Sequence, residues 1–256
     1  MTNPEVLLTQ QGDIATLVFN RPEARNALTF AMYQRLAEIC TDPPTGCKAI
    51  VVSGTGDRAF AAGTDIAQFR EFNSEQHAID YEATMDEVLS AVERCPIPTI
   101  AAISGACTGG GAVIASACDI RIASSTLRFG FPIARTLGNC LSAANIARLN
   151  ALLGAGRVRE IIFTSRLIHA EEAKQIGLIS ELLEDYTVLM GRASELARLV
   201  ADNAPLTLQA TKEIQRRLNQ ANVEDRDWIV KCYTSEDFHE GLEAFLAKRK
   251  PEWKGK

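Results

Sequence analysis

Three consecutive glycines, Gly109, Gly110 and Gly111, stand between a strand-like run at 98–103 and a small-residue helix that leads into Cys118. A glycine run at a strand-to-helix junction exposes main-chain N–H groups at the positive end of a helix, an anion-binding device made of backbone. A second segment of similar character, Ala59-Phe60-Ala61-Ala62-Gly63-Thr64-Asp65, follows a predicted buried strand at 48–53 and the turn Gly54-Thr55-Gly56-Asp57. Its small side chains let a ligand reach the main chain, and Asp65 is placed to cap a new helix. One N–H from each segment, converging on one oxygen, forms an oxyanion hole worth on the order of 3 kcal/mol of barrier per donor. Such a hole stabilises negative charge as it develops on a carbonyl oxygen.

Both segments need a rigid frame, and the periodicity supplies one. Strands are predicted at 13–19, 48–53, 98–103, 119–123 and 178–183, alternating with helices at 29–40, 74–94, 142–163 and 170–175. Strands alternating with helices give an α/β layered core. From 187 to 246 the pattern is helical only, with breaks at Pro205, near Asn222 and at Thr234-Ser235, where a Ser N-cap precedes Glu236 and Asp237. The expected division is therefore an α/β core at 1–185 and a helical C-terminal region at 186–256 that covers the core or contacts another subunit.

At 256 residues, with 46% hydrophobic and 23% charged residues, the chain has an ordinary globular composition. A net charge of −5 argues against a nucleic-acid partner, and the basic cluster Lys248, Arg249 and Lys250 reads as a solvated face. No apolar run is long enough to span a membrane, and the opening Met1-Thr2-Asn3-Pro4-Glu5 has no leader pattern, so a cytoplasmic location is expected. The seven cysteines (Cys40, Cys47, Cys95, Cys107, Cys118, Cys140 and Cys232) include no C-x-x-C pair and read as small buried hydrophobes. His77, His169 and His239 are far apart in sequence, so no metal site is expected. The glycine triplet is not a Rossmann fingerprint, and neither G-x-S-x-G nor a P-loop is found.

Several ordered motifs together resemble the crotonase, or enoyl-CoA hydratase/isomerase, superfamily. They are Asn20-Arg21-Pro22-Glu23-Ala24-Arg25-Asn26-Ala27-Leu28, the 59–65 run, and Ile103-Ser104-Gly105-Ala106-Cys107-Thr108-Gly109-Gly110-Gly111 with Cys118-Asp119. Ala170-Glu171-Glu172-Ala173 with Gly177-Leu178-Ile179, and Ser235-Glu236-Asp237-Phe238 with Glu240-Gly241 and Ala244-Phe245, extend the resemblance over almost the whole chain. The resemblance implies a spiral of β-β-α units, a helical C-terminal region that builds homotrimers or homohexamers, and acyl-CoA thioester substrates. It assigns the two carbonyl donors to Thr64 and Gly110. Coenzyme A, as part of the substrate and with no separate cofactor, is implied to lie along Arg25 and Ala27 and along Ala62, Asp65 and Ile66.

The sequence departs from the hydratase pattern where that pattern places two glutamates: those positions hold Val113 and Ile133. Neither transfers a proton, so water addition by a carboxylate pair loses its acid and base. Isomerisation, decarboxylation and thioester hydrolysis remain as enolate or tetrahedral chemistry, and a non-catalytic acyl-CoA binder is the alternative. In the loop after Pro132, Arg135 reads as a carboxylate clamp or a solvent-facing residue, and Asn139 as an orienting amide or a turn residue. Cys140 reads as a nucleophile or, preferred, a buried thiol, and Ser142 as a helix N-cap. His77, Asp80, Tyr81 and Glu82 read as the wet face of an amphipathic helix.

Overall fold

The computed structural model describes residues 4–69, 74–219, 231 and 235–256; Asn222, Cys232, Thr234 and the side chains of His239 and Phe245 lie outside the described residues. Two sheets form the frame. The first has six strands in the order β1 (Val6–Gln11), β2 (Ile14–Phe19), β3 (Ala49–Gly54), β5 (Thr99–Ile103), β7 (Ile120–Ser124) and β10 (Glu181–Leu183). It is parallel except for the β1–β2 hairpin. The second has four short strands, β4 (Ala59–Ala61), β6 (Ala106–Thr108), β8 (Arg128–Gly130) and β9 (Ile168–His169).

From β3 to β8 consecutive strands alternate between the sheets, and each pair is followed by helix. β3 and β4 lead to α2 (Glu75–Glu93), β5 and β6 to α3 (Gly110–Ala117), and β7 and β8 to α4 (Ala143–Leu153) and α5 (Ala155–Thr164). This is the expected spiral of β-β-α units. The second sheet goes unread in the sequence because two- and three-residue strands are too short to show a period. The expected single helix at 142–163 is divided at Gly154, whose φ of 80° breaks the helical path. The expected strand at 178–183 shortens to β10, with Leu178 and Ile179 buried in the turn before it.

The two-residue period of the central strands sorts the core. Ile50, Val52, Ala101 and Ile103 face the main core with α1 (Phe30–Thr41) and α2–α5, whereas Ala49, Val51, Ile100 and Ala102 face α7 (Tyr186–Ala201). Both faces of this sheet are therefore covered, which accounts for the nearly continuous apolar composition of β3 and β5. α7 belongs to the helical C-terminal stretch, which continues with α8 (Pro205–Asn219) and a last helix, Glu236–Ala247. Asp237, only 3% exposed, accepts from the N–H groups of Lys254 and Gly255 at 2.7 and 2.9 Å and so ties down the chain end. Among the described residues no helix is long and apolar enough to cross a membrane, and no cluster of metal-ligating side chains occurs.

Candidate active site

Each glycine of the triplet answers a different local demand. Gly109 takes φ 51° at the cap of α3 and donates to Gly130 O across the second sheet at 3.0 Å. A Cβ on Gly111 would sit 2.3 Å from Ala61 O, because α3 packs directly on the β4 backbone. A Cβ on Gly110 would sit 1.8 Å from Tyr33 Oη and 3.2 Å from Thr64 Oγ1. The triplet thus brings the first turn of α3 against the 59–65 segment at backbone distance.

That segment is itself fastened from the other side. Ala62 N donates to Arg25 O at 3.1 Å, Leu28 N to Gly63 O at 2.8 Å and Asp65 N to Leu28 O at 2.9 Å, a short parallel ladder between 25–28 and 62–65. Arg25 and Asn26 both adopt left-handed φ, 53° and 54°, and the buried Asn26 amide donates to Ala59 O at 2.7 Å and accepts from Arg21 N at 3.0 Å. Arg21 closes the arrangement: its guanidinium reaches Ala27 O at 2.7 Å, Asp65 Oδ2 at 3.0 Å and Glu5 Oε1 at 3.1 Å. Asp65 also accepts from Ala67 N at 3.1 Å, the capping role expected of it. The segments that carry Arg25, Ala27, Ala62, Asp65 and Ile66 therefore lie side by side, with Arg25 and Ile66 exposed.

Thr64 and Gly110 border one pocket of about 200 Å³. Among the described residues no protein acceptor is found for the Thr64 or Gly110 N–H, the latter in the first turn of α3 where intrahelical acceptors are lacking. Behind them runs a chain of hydroxyls, with Tyr33 Oη 2.8 Å from Thr64 Oγ1 and Thr64 Oγ1 3.2 Å from Tyr81 Oη. Burial pushes both phenols above their ordinary value, and the Glu82 charge adds to the shift, so both stay protonated and neutral. Tyr81 packs edge-on against Phe69, with ring centroids 5.0 Å apart, and against Phe30 at 5.8 Å.

Val113 and Ile133 give the pocket an apolar lining and are 6% and 8% exposed. Asn139 and Cys140 also line the pocket, and Cys140 is an exposed free thiol rather than the buried one expected. The loop after Pro132 is exposed from Ala134 to Cys140, which leaves the thiol in contact with solvent. Arg135 is not brought to the pocket. A 3-10 turn at Pro132–Ala134 buries Ile133, the exposed Thr136 borders the pocket, and Arg135 is exposed and does not line it. Ser142 caps α4, accepting from Asn145 N at 3.2 Å, and donates to Asp86 Oδ1 at 2.6 Å.

Helix α2 turns two of its polar residues toward the pocket. Tyr81 and Glu82 do not belong to a wet face; they line the pocket with Met85. The buried stripe Met85, Val88, Leu89 and Val92, extended back by four residues, reaches Tyr81, a signal present in the sequence. Tyr33 was missed because its only signal is a place on the buried face of α1, shared by core residues with no role at the site. Glu82 is half-buried, and its pKa is raised by burial and by Asp86 one turn along, with the Ser142 backbone N–H pulling the other way.

Comparison with known proteins assigns the chain and its fold to a family. A sequence model of the family "Enoyl-CoA hydratase/isomerase" matches residues 9–256. The short-chain-enoyl-CoA hydratase of Clostridium acetobutylicum is 33% identical over 254 residues, covering 96% of each chain. The carnitinyl-CoA dehydratase of Proteus mirabilis is 33% identical, covering 97% of this chain and 98% of its own. The crystal structure of an enoyl-CoA hydratase/carnithine racemase from Magnetospirillum magneticum superposes with a TM-score of 0.90 at 32% identity, over 100% of this chain and 97% of that one. The chain belongs to the enoyl-CoA hydratase/isomerase family, within the crotonase superfamily.

Proposed function

We propose that the protein is an acyl-CoA enzyme that holds the thioester carbonyl between the Thr64 and Gly110 N–H groups and stabilises the enolate formed when the α-carbon loses a proton. The observation that carries this reading is the pair of N–H donors without acceptors, on adjacent segments, at one pocket. The helix that begins at Gly110 adds its positive end to the same oxygen. Preorganised donors of this kind act on charge that develops in the transition state and are each worth on the order of 3 kcal/mol. The 25–28 turn and the 62–66 run form the ledge along which the coenzyme A portion lies, its phosphates reaching the exposed Arg25.

The acyl pocket sets limits on the reaction. Val113 and Ile133 face it at the positions where the hydratase pattern has carboxylates, so a carboxylate pair that activates and protonates around a water is not part of this reading. Enolate chemistry with one proton-transfer group, such as isomerisation, fits better than hydration. Val113 and Ile133 also motivate the second reading, an acyl-CoA binder without turnover. The helical region at 186–256 is proposed to build a homotrimer or homohexamer, which sedimentation equilibrium resolves directly.

The test is titration calorimetry of crotonyl-, 3-enoyl- and malonyl-type CoA esters, followed by product analysis. Binding with turnover that is lost in Gly110→Ala supports the enzyme reading. Binding without turnover leaves the binder, and no binding of any acyl-CoA removes both.

A further inference from the structure

We infer that Glu82, from helix α2, is the proton-transfer group of this pocket and does the work for which Val113 and Ile133 are unsuited. This rests on the thioester reading above. Among the described residues that line the pocket there is no lysine, arginine or histidine, and Glu82 is the one carboxylate. The remaining proton-bearing side chains are poor bases. Tyr33 and Tyr81 are held protonated by burial, Thr64, Thr108 and Thr136 are neutral alcohols, and Asn139 and Asn145 are amides. Cys140 is the other group to be separated from Glu82, and it sits on the exposed loop at the mouth.

The position of Glu82 suits the task. It lines the same pocket as Thr64 and Gly110, and its carboxylate accepts from the Ser142 backbone N–H at the start of α4. The groups facing it are Tyr81 and Asp86 on α2, Tyr33 on α1, Ser142 and Asn145 at the start of α4, and Cys140 on the loop. Asp86 is fixed by the Ser142 hydroxyl at 2.6 Å, one helical turn from Glu82. A carboxyl raised by burial and a like charge is a stronger base than one in water, the condition a general base needs.

The step is balanced without a co-reactant. The Glu82 carboxylate takes a proton from the carbon next to the thioester carbonyl, so a C–H bond breaks and an O–H bond forms. The electron pair passes into the C–C bond, and negative charge settles on the thioester oxygen between the two N–H donors. Return of the proton from Glu82 to the same carbon restores the substrate, and its return two carbons further along a conjugated chain moves the double bond.

The experiment is exchange of the α-protons of butyryl-CoA and 3-enoyl-CoA in deuterium oxide, followed by NMR, with calorimetry on the same samples. Native protein is expected to exchange them, and Glu82→Gln to bind with similar affinity while exchange falls at least about 100-fold, the ordinary contribution of a positioned acid or base. Glu82→Asp should recover part of the rate. In Asp86→Asn the pH midpoint of exchange should move down, since a like charge beside Glu82 is gone; a merely structural role would not move it. Native-like exchange in Glu82→Gln with binding retained overturns the assignment, as does exchange lost in Cys140→Ser but kept in Glu82→Gln. A native protein that binds without exchange also overturns it. No binding by native protein removes the thioester reading instead, and this assignment with it.

Discussion

Substituting Gly110 by alanine tests the donor geometry, because the added atom has nowhere to go. Its methyl would lie 1.8 Å from Tyr33 Oη, 3.0 Å from Tyr33 Cζ and 3.2 Å from Thr64 Oγ1. Ordinary contact is about 3.5 Å, so the phenol must retreat by about 1.7 Å. Tyr33 is 1% exposed and anchored to Thr64 at 2.8 Å, and a close-packed interior leaves no room behind it. Overpacking of this kind costs about 1–3 kcal/mol, and loss of the Tyr33–Thr64 bond about 1 kcal/mol more. The helix-propensity gain of alanine over glycine, at most about 1 kcal/mol, offsets only part of this. A net loss of about 1–3 kcal/mol is expected in urea unfolding, with at least about a 100-fold fall in α-proton exchange as the donor is displaced. Gly156→Ala in α5 is the control, because nothing lies within 4 Å of its added methyl; it should leave exchange unchanged and raise the urea midpoint by no more than the helix-propensity gain of about 1 kcal/mol. A Gly110→Ala protein as stable and as active as the native one would show that the Gly110 N–H is not held in place by this packing.

Three further outcomes follow from the same geometry. Asn26→Ala removes the partner of Arg21 N, Thr55 O and Ala59 O at a buried left-handed position, and should cost about 3 kcal/mol in urea unfolding while weakening acyl-CoA binding. Because Glu82 has a raised folded-state pKa, its ionisation opposes folding as pH rises from the ordinary carboxylate range through the folded value. Glu82→Gln should therefore raise the urea midpoint at neutral pH, and the gain should vanish below pH about 4, where the native carboxyl is protonated in both states. Cys140 should react with a small maleimide faster than the buried Cys40, Cys95, Cys107 and Cys118, and bound acyl-CoA should slow it, as read by peptide mass mapping.

The parts of the site made of backbone were legible because they require particular residues. Glycines at 109–111 and small residues at 61–63 leave a mark in the sequence that their close approach explains. The strands that present them were not legible: β4, β6, β8 and β9 hold two or three residues each, and their pairing is a matter of tertiary contact rather than local pattern. Side chains that reach the pocket from a distance were the hardest to read. Glu82 lies next to the apolar stripe of α2, not on it, and a charge beside a stripe ordinarily meets water; only the loop at 132–142 folded over it makes that position part of a cavity. Arg135 had two readings, a carboxylate clamp and a solvent-facing residue, and its exposed place after the tight turn at 132–134 agrees with the second.

The account stands or falls on whether the thioester carbonyl lies between Thr64 and Gly110. Isotope-edited infrared spectroscopy of an acyl-CoA carrying carbon-13 at the carbonyl reads that contact directly. The account predicts that the carbonyl stretch of the bound ester falls below its value in water, as two aligned N–H donors polarise the bond, and returns toward it in Gly110→Ala. A stretch unchanged from water in a complex saturated by calorimetry would contradict it.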